Sequence, residues 1–562
     1  MTLPNVAYFS MEIALDQSLS TYSGGLGFLA GSHMHSAGYL GLPMVGVTML
    51  WSYGYYDQRI DSEGNVEVAY TRKQYDFLTD INVTVDVKVF GEDAKVKVFK
   101  VEPELFGACP VYLLTTDIPE NSEEVRKISH KLYDGDEKTR ISQEVILGVG
   151  GVRALQAAGV NFDIIHMNEG HALPAAFELL NQTQDFAKVK EMTVFTTHTP
   201  VAAGNEVHWV DTLLEGGFFS GLPRHQAVEL GGENFSLTVA ALRISRMANA
   251  VSQLHGLVAN KMWEWVEGRC PIRAITNAVN LHHWQDKRIN AQKTDEELLA
   301  AKREMKQELF EYIADTTGKR FDPDVLTITW ARRFADYKRA WMIFMDKDRI
   351  TKLLNENKVQ LIFSGKFHPD DTMGREMFNN ILKHSYNLKN VVVLPNYELK
   401  LSALLKKGTD VWMNTPLRPF EASGTSGMSA NMNGALHLSI YDGWAVEGTF
   451  TGLNGYTVNY PGLDDDISWE ERHWKDYECI MGMIENDIIP TYYSNKAKWA
   501  TLMRNAIKTS EAYFNSDRMV IEYYNRIYKP IAKGGAEEGD DTSDVKIAEN
   551  PNLDAWTFSN IK

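Results

Sequence analysis

The chain has 562 residues, 44% hydrophobic and 23% charged, which is ordinary for a globular protein large enough to build its cores without disulfides or metals. Its 57 basic and 74 acidic side chains give a net charge of −17, arguing against a general nucleic-acid or anionic-membrane binder. The three cysteines, Cys109, Cys270 and Cys479, are far apart and form no C-x-x-C, so neither a disulfide framework nor a cysteine-rich zinc site is expected. With no basic, apolar leader and no bilayer-length apolar run, the expectation is a cytoplasmic protein with no membrane partner.

Taken in chain order, short apolar, β-branched runs predict strands around Val6, Val111, Ile164, Val194, Leu326, Leu361, Val391 and Val411. Each run is continuous rather than alternating, as in parallel strands buried on both faces. Helical spacing fills the intervals, for instance over 143–159 and 293–317. This alternation predicts an α/β fold of two Rossmann-like, doubly wound domains facing across a deep cleft. The expected division is 1–285 and 286–515, then a helix at 516–531 returning to the first domain, then an acidic, mobile tail at 532–562. Ligands in this fold class sit at the carboxyl ends of the strands.

Several loops at those strand ends carry candidate chemistry. The first is YSGGLG, where Gly24, Gly25 and Gly27 precede a helix-like run. HMNEGHA places Glu169 and His171 after one strand, and FTTHTPV places His198 after another. His166, Glu169 and His171 mimic metal-ligand spacing, but the segment reads as strand then loop rather than HExxH on a helix, so no metal is expected. ARRFADYKR brings Arg332, Arg333 and Lys338 within seven residues of a strand end, which in an acidic chain points to a phosphate clamp. Finally, the small residues from Ser423 to Gly427, with Thr425 and Ser426 between, let the backbone approach a ligand. A helix starting there offers free N–H groups to an anion, and Glu421 at its mouth offers a carboxylate to sugar hydroxyls.

These stretches, with AITNAV, SGKFHP, NYELKL and DVWMNTPLRPFEASGTSGM in one order, resemble the α-glucan (glycogen/maltodextrin) phosphorylases, above all their short bacterial and archaeal branch. The resemblance runs from about Val6 to Tyr528 and implies the GT-B architecture. It further implies that His198, Asn277, Glu421, Ser423 and Gly424, with the backbone at Gly25 and Leu26, bind the transferred sugar. Arg333 and Lys338 would hold its phosphate, and Glu169 and His171 would lie on the acceptor side. Arg332, Tyr397, Thr425, Ser426 and Gly427 resemble the cradle for the phosphate of pyridoxal phosphate. Retaining transfer would pass through an oxocarbenium-like state.

One departure from the family is chemical. The lysine that carries pyridoxal phosphate stands eight positions after the glutamate, and here that position is Ser429. No lysine occurs between Gly408 and Trp474, so no covalent cofactor is expected. An empty cradle beside a phosphate clamp fits a diphosphate, and the Glu421-x7-Ser429 frame resembles E-x7-E of nucleotide-sugar enzymes, with Ser429 on the ribose. The leading expectation is therefore a retaining hexosyltransferase that moves glucose from a nucleotide sugar to a glucan or small sugar acceptor. The alternatives are an α-glucan phosphorylase working with glucose 1-phosphate and phosphate, its cofactor noncovalent or its lysine exchanged by design, and a glucan-binding or regulatory protein without catalysis. The resemblance also allows a homodimer.

Overall fold

The continuous apolar runs form parallel strands, and their connections set the topology. The computed structural model describes residues 3–201, 204–463 and 466–529; the tail expected at 532–562 lies outside them. The described chain divides into two units. The first comprises 3–56, 70–280 and 516–529, and the second 57–69 and 281–515.

The first unit carries a nine-stranded sheet. In chain order its strands are β1 (Val6–Phe9), β2 (Met44–Met49), β3 (Thr79–Val89), β4 (Glu92–Val101), β5 (Val111–Thr115), β6 (Ile164–Asn168), β7 (Thr193–Thr196), β8 (Met247–Ala250) and β9 (Ile272–Ala274). Seven of them are parallel, in the order β9-β8-β7-β6-β1-β2-β5, and the hairpin β3–β4 extends the β5 edge antiparallel. The strand order reverses between β1 and β6, where Val6 pairs with Ile164 and Tyr8 with His166. At such a switch point the two neighbouring connections leave toward opposite faces and open a crevice at the strands' carboxyl ends.

The second unit carries six parallel strands: β10 (Leu326–Ala331), β11 (Val359–Ser364), β12 (Val391–Leu394), β13 (Val411–Asn414), β14 (Leu436–Ile440) and β15 (Gly455–Val458). Their spatial order is β12-β11-β10-β13-β14-β15, the doubly wound arrangement, with its switch point between β10 and β13. The eight strands expected from sequence all form. β14, with polar His437 and Ser439 in its run, and the short, small-residue β8 lack the long β-branched signal and were not anticipated.

Segment 57–69 departs from the expected division. It forms an antiparallel hairpin, Asp57–Ile60 with Val66–Ala69, and belongs with the second unit although the flanking chain builds the first. The cause is local polar pairing. Gln58 and Asn396 exchange three hydrogen bonds of 2.5–3.0 Å, and Val66 N–H donates to Asn379 Oδ1 at 2.8 Å. These partners are more than 300 positions away, beyond any local pattern.

The segment from Ser516 packs into the first unit through Met519, Val520, Tyr523, Tyr524, Ile527 and Tyr528, all buried with Tyr8 and Ile164 of the sheet. Burying each such side chain contributes about 1.5–3 kcal/mol. Tyr528 Oη also meets His166 Nδ1 at 2.6 Å, and Arg246 donates to the Ile527 carbonyl at 2.8 Å. In the second unit the helix Asp295–Thr317 opens with a capping box between Thr294 and Glu297 and closes on Gly318. It buries Lys306, whose Nζ lies 2.5 Å from Asp410 and also donates to the Val325 carbonyl and Tyr492.

Both ends of the Lys306–Asp410 pair are only 2% exposed, so removing one partner strands a buried charge. Asp410→Ala is expected to cost about 3–5 kcal/mol, seen as a lowered unfolding midpoint of the second unit in a thermal or denaturant scan. The Lys306→Met/Asp410→Leu pair of changes is expected to cost markedly less.

Candidate functional site

The candidate residues gather at the carboxyl ends of strands, in two sets, one in each unit. In the second unit the set stands at the switch point. Strand β10 runs into Arg332 and Arg333, and β13 runs into the loop that bears Glu421. Gly365, at φ +144° after β11, lets the backbone after β10 pass close by: a Cβ there would lie 1.7 Å from the Arg332 carbonyl. Arg332 N–H donates to the Ser364 carbonyl at 3.1 Å, which fixes where the first cation emerges.

The three cations are not equivalent. Arg332 and Lys338 are buried, and both close on Glu421, Arg332 NH1 at 2.7 Å and Lys338 Nζ in a still shorter contact. Burial alone would raise the Glu421 carboxyl, but Arg332 and then Lys338 overcome it and hold the group at about 2. Arg333 is exposed, and among the described residues nothing pairs with its guanidinium. Three cations against one ionised carboxylate leave a local positive excess in a chain of net charge −17. Such an excess attracts an anion of two charges.

The glycine-rich turn wraps this cluster. Gly424 sits at φ +87°, and a Cβ there would lie 3.2 Å from Arg332 NH2, so the backbone approaches the guanidinium where no side chain fits. Ser423 Oγ is buried without a hydrogen-bond partner, and its carbonyl accepts from Trp444 N–H at 2.9 Å. Glu421 N–H donates to Asp442 Oδ2 at 2.9 Å. Burial pushes Asp442 up to about 7, against two backbone donors and with the Glu421 charge adding to the rise. Ser426 Oγ accepts from the Trp412 indole at 3.1 Å, and Gly427 packs against the His437 and Trp444 rings. Tyr397 Oη accepts from Ser402 at 2.9 Å, and burial raises this phenol to about 12.

The helix expected in this turn forms, Ser426–Asn431, and it is only six residues long, with Thr425 already helical before it. The side-chain cations supply the larger part of the attraction for an anion. One expectation for this turn needs correction. Ser429 is 0% exposed and donates its hydroxyl to the Ser426 carbonyl at 3.0 Å, so it presents no oxygen to a ribose.

In the first unit, His198 follows β7 and Glu169 follows β6. His198 N–H donates to Glu169 Oε1, and His198 Nε2 lies 2.8 Å from Asn168 Oδ1. Asn168 in turn donates to Ser10 Oγ at 3.1 Å, so three neighbouring strand ends are tied together. Burial, helped by His255 and His171, lowers His198 to about 3, so its ring is neutral. Glu169 holds φ +71°, ψ 173°, a strained backbone for a non-glycine residue, stabilised by its carboxylate contacts to His198 and Thr199. Asn277 is 2% exposed with an unpartnered Oδ1, a free acceptor for a hydroxyl. Gly25 and Leu26 open the helix Gly25–Tyr39, and a Cβ at Gly24 or Gly25 would meet nothing within 4 Å.

Sequence reading missed the residues that hold these loops. Glu12 is buried just after β1 and accepts from Ser23 N–H at 2.7 Å, Gly24 N–H at 3.2 Å and Tyr133 Oη at 2.7 Å. Arg339, 1% exposed, bonds the Thr415 and Pro416 carbonyls and pairs with Asp476 at 2.8 Å, anchoring the loop after β13. An acid just beyond a strand at the switch point was a usable signal for Glu12. Arg339 offered none, because its partner lies 137 residues away.

Doubly wound sheets that carry an anion-attracting cluster at a switch point belong to the class of α/β proteins that bind their ligands at the strands' carboxyl ends. Comparison with known proteins narrows it. Residues 243–450 match the carbohydrate phosphorylase family model. The chain is 36% identical to the maltodextrin phosphorylase of Thermococcus litoralis, over 93% of this chain and 70% of that protein. It is 33% identical to the glycogen phosphorylase of Aquifex aeolicus, over 95% and 87%. An uncharacterized protein of Methanocaldococcus jannaschii is 44% identical over 93% and 99%. The chain belongs to the α-glucan (glycogen/maltodextrin) phosphorylase family, whose members transfer glycosyl groups. Among the described residues no helix is long and apolar enough to cross a membrane.

The Glu421 cluster has a pH signature. Its folded value of about 2 lies below the unfolded 4.5, so its contribution, about 3 kcal/mol, is present above pH 4.5 and is lost as pH falls toward 2. Glu421→Gln is expected to lower the melting temperature at pH 7, with the gap to the unchanged chain closing between pH 4.5 and 2; thermal unfolding followed across that range checks it.

Proposed function

We propose that this protein transfers a glucosyl unit between an α-glucan and phosphate, working on glucose 1-phosphate or inorganic phosphate without a covalently held cofactor. The observation that carries the reading is the cation cluster at the switch point, with Arg333 unpaired and Arg332 and Lys338 gathered on Glu421. The similarity to maltodextrin and glycogen phosphorylases supports this donor over a nucleotide sugar. The buried, bonded Ser429 hydroxyl also removes the ribose contact that favoured the nucleotide.

In phosphorolysis the glucosyl C1 passes from the glycosidic oxygen to a phosphate oxygen, and a proton moves from phosphate to the departing glucan oxygen. An oxocarbenium-like state lies between. Arg333 offers its fork to the phosphate, and the Arg332–Lys338 pair adds positive charge behind it. Glu421, Ser423 and the Gly424 backbone offer acceptors and donors to sugar hydroxyls. The family resemblance gives Asn277 and the neutral His198 hydroxyl-binding roles and puts Glu169 and His171 on the acceptor side.

The family implies pyridoxal phosphate, and the residues present do not fit its covalent attachment. A serine forms no imine, Ser429 is fully buried, and no lysine lies between Lys407 and Lys475. The cradle residues Arg332, Tyr397 and Gly427 remain, but the transfer described above uses no imine-bound group.

Arg333→Ala and Lys338→Ala are each expected to lower glucosyl transfer about 10²–10³-fold, measured as glucose 1-phosphate formed from maltodextrin. Unchanged turnover in both would remove the clamp. A thermal-shift panel separates donors: glucose 1-phosphate is expected to raise the melting temperature, and a response to UDP- or ADP-glucose alone would overturn the phosphate reading. After incubation with pyridoxal phosphate and borohydride, peptide mapping is expected to find no pyridoxyl adduct between positions 408 and 474 of the unchanged chain, and one at position 429 of Ser429→Lys.

A further inference from the structure

Beside the acceptor-side residues, the first unit buries a carboxylate that the transfer reaction does not use. Glu144 lies in the helix Glu137–Val145 with its side chain 0% exposed and close against the Glu206 carboxylate, and no backbone or cationic group donates a hydrogen bond to its oxygens. The nearest cation is Arg140, one turn earlier, with Nε 3.6 Å away. That guanidinium is turned toward Glu206, donating to both its oxygens at 3.3 Å, and lies against the Tyr133 ring at 4.8 Å. Glu206 Oε1 also meets His208 Nε2 at 3.1 Å. His171, from the short turn Gly170–Ala172, completes the group: its Nε2 stands 3.9 Å from Glu206 Oε2, and its Nδ1 is buried without a partner. One oxygen from each glutamate and one ring nitrogen of His171 all lie within 4.8 Å of one another.

We propose that Glu144, His171 and Glu206 form a binding site for a divalent first-row cation, of the class of Zn²⁺, Mn²⁺ or Co²⁺. Two carboxylates and one imidazole are the donor set these ions accept, and at bond lengths of about 2.0–2.2 Å a tetrahedral ion would draw the three donors to about 3.4 Å from one another. A cation relieves what the protein alone leaves unsettled. One guanidinium serves two carboxylates, and it hydrogen-bonds only one of them. Arg140 and His208 would keep Glu206 oriented, as outer partners of metal ligands do. Three protein ligands leave a coordination position open to water or a substrate oxygen. The metal spacing noted at His166, Glu169 and His171 is not this site: His166 is held by Tyr528 and Thr196, and the Glu169 carboxylate by His198 and Thr199. The site stands on its own geometry and does not require the phosphorolysis reading.

The test is titration of the full-length chain, stripped with chelator, with Co²⁺, Zn²⁺ and Mn²⁺. One equivalent is expected to bind, with a Co²⁺ ligand-field spectrum lacking a thiolate charge-transfer band, which excludes the three cysteines as ligands. Glu144→Gln and His171→Ala are expected to weaken binding about tenfold or more, and Glu137→Gln, which contacts only His208 at the edge of the cluster, to leave it within about twofold. Zn²⁺ is expected to raise the melting temperature of the unchanged chain and not of Glu144→Gln; if that variant fails to fold, Glu206→Gln replaces it. No saturable binding of any of the three ions, or binding unchanged in both ligand variants, overturns the site.

Discussion

The pairing of Glu421 with Arg332 and Lys338 is the constraint on which the second unit's site depends. Two buried cations would be prohibitive without a counter-charge, and a buried carboxylate equally so without them. Together they fix the strand-end loop after β10 against the loop after β13, the two loops that the sheet's switch point brings side by side. The glycine at 424 is a consequence of that approach, since its backbone runs against the guanidinium. Arg333 stands apart from this pairing: it is exposed, and among the described residues no acid pairs with it.

The same economy explains what happens around Ser429. Ser429 is buried and turned back onto its own helix, its hydroxyl donating to the Ser426 carbonyl. The residues around it have structural partners of their own. Ser426 receives the Trp412 indole, Tyr397 receives Ser402, and Gly427 admits the stacked His437–Trp444 pair. These contacts hold the turn, and with it Glu421 and its two cations, in place.

Legibility in the sequence followed the range of the interactions. All eight strands expected from continuous apolar runs formed, because burial on both faces of a parallel sheet writes itself into consecutive residues. The loops at their carboxyl ends, with Glu169, His198, Arg332, Arg333, Lys338 and Glu421, were legible for the same reason: they follow the strands directly. Segment 57–69, Arg339 and the Glu144–His171–Glu206 group were not. Each depends on partners dozens to hundreds of residues away, and no local period announces them. The nucleotide expectation came from Ser429, and residue identity alone could not show that its hydroxyl was already spent.

The sequence by itself determined the α/β class, the family, the positions of the strand-end loops and the absence of any lysine from 408 to 474. Those are properties of residue type and order. Only the tertiary structure decided which cations are free and which are neutralised, which hydroxyls face inward, and which acids share a buried space. Those depend on distances between segments that the chain brings together only when its sheets form, and on burial, which sets how strongly each charge is felt.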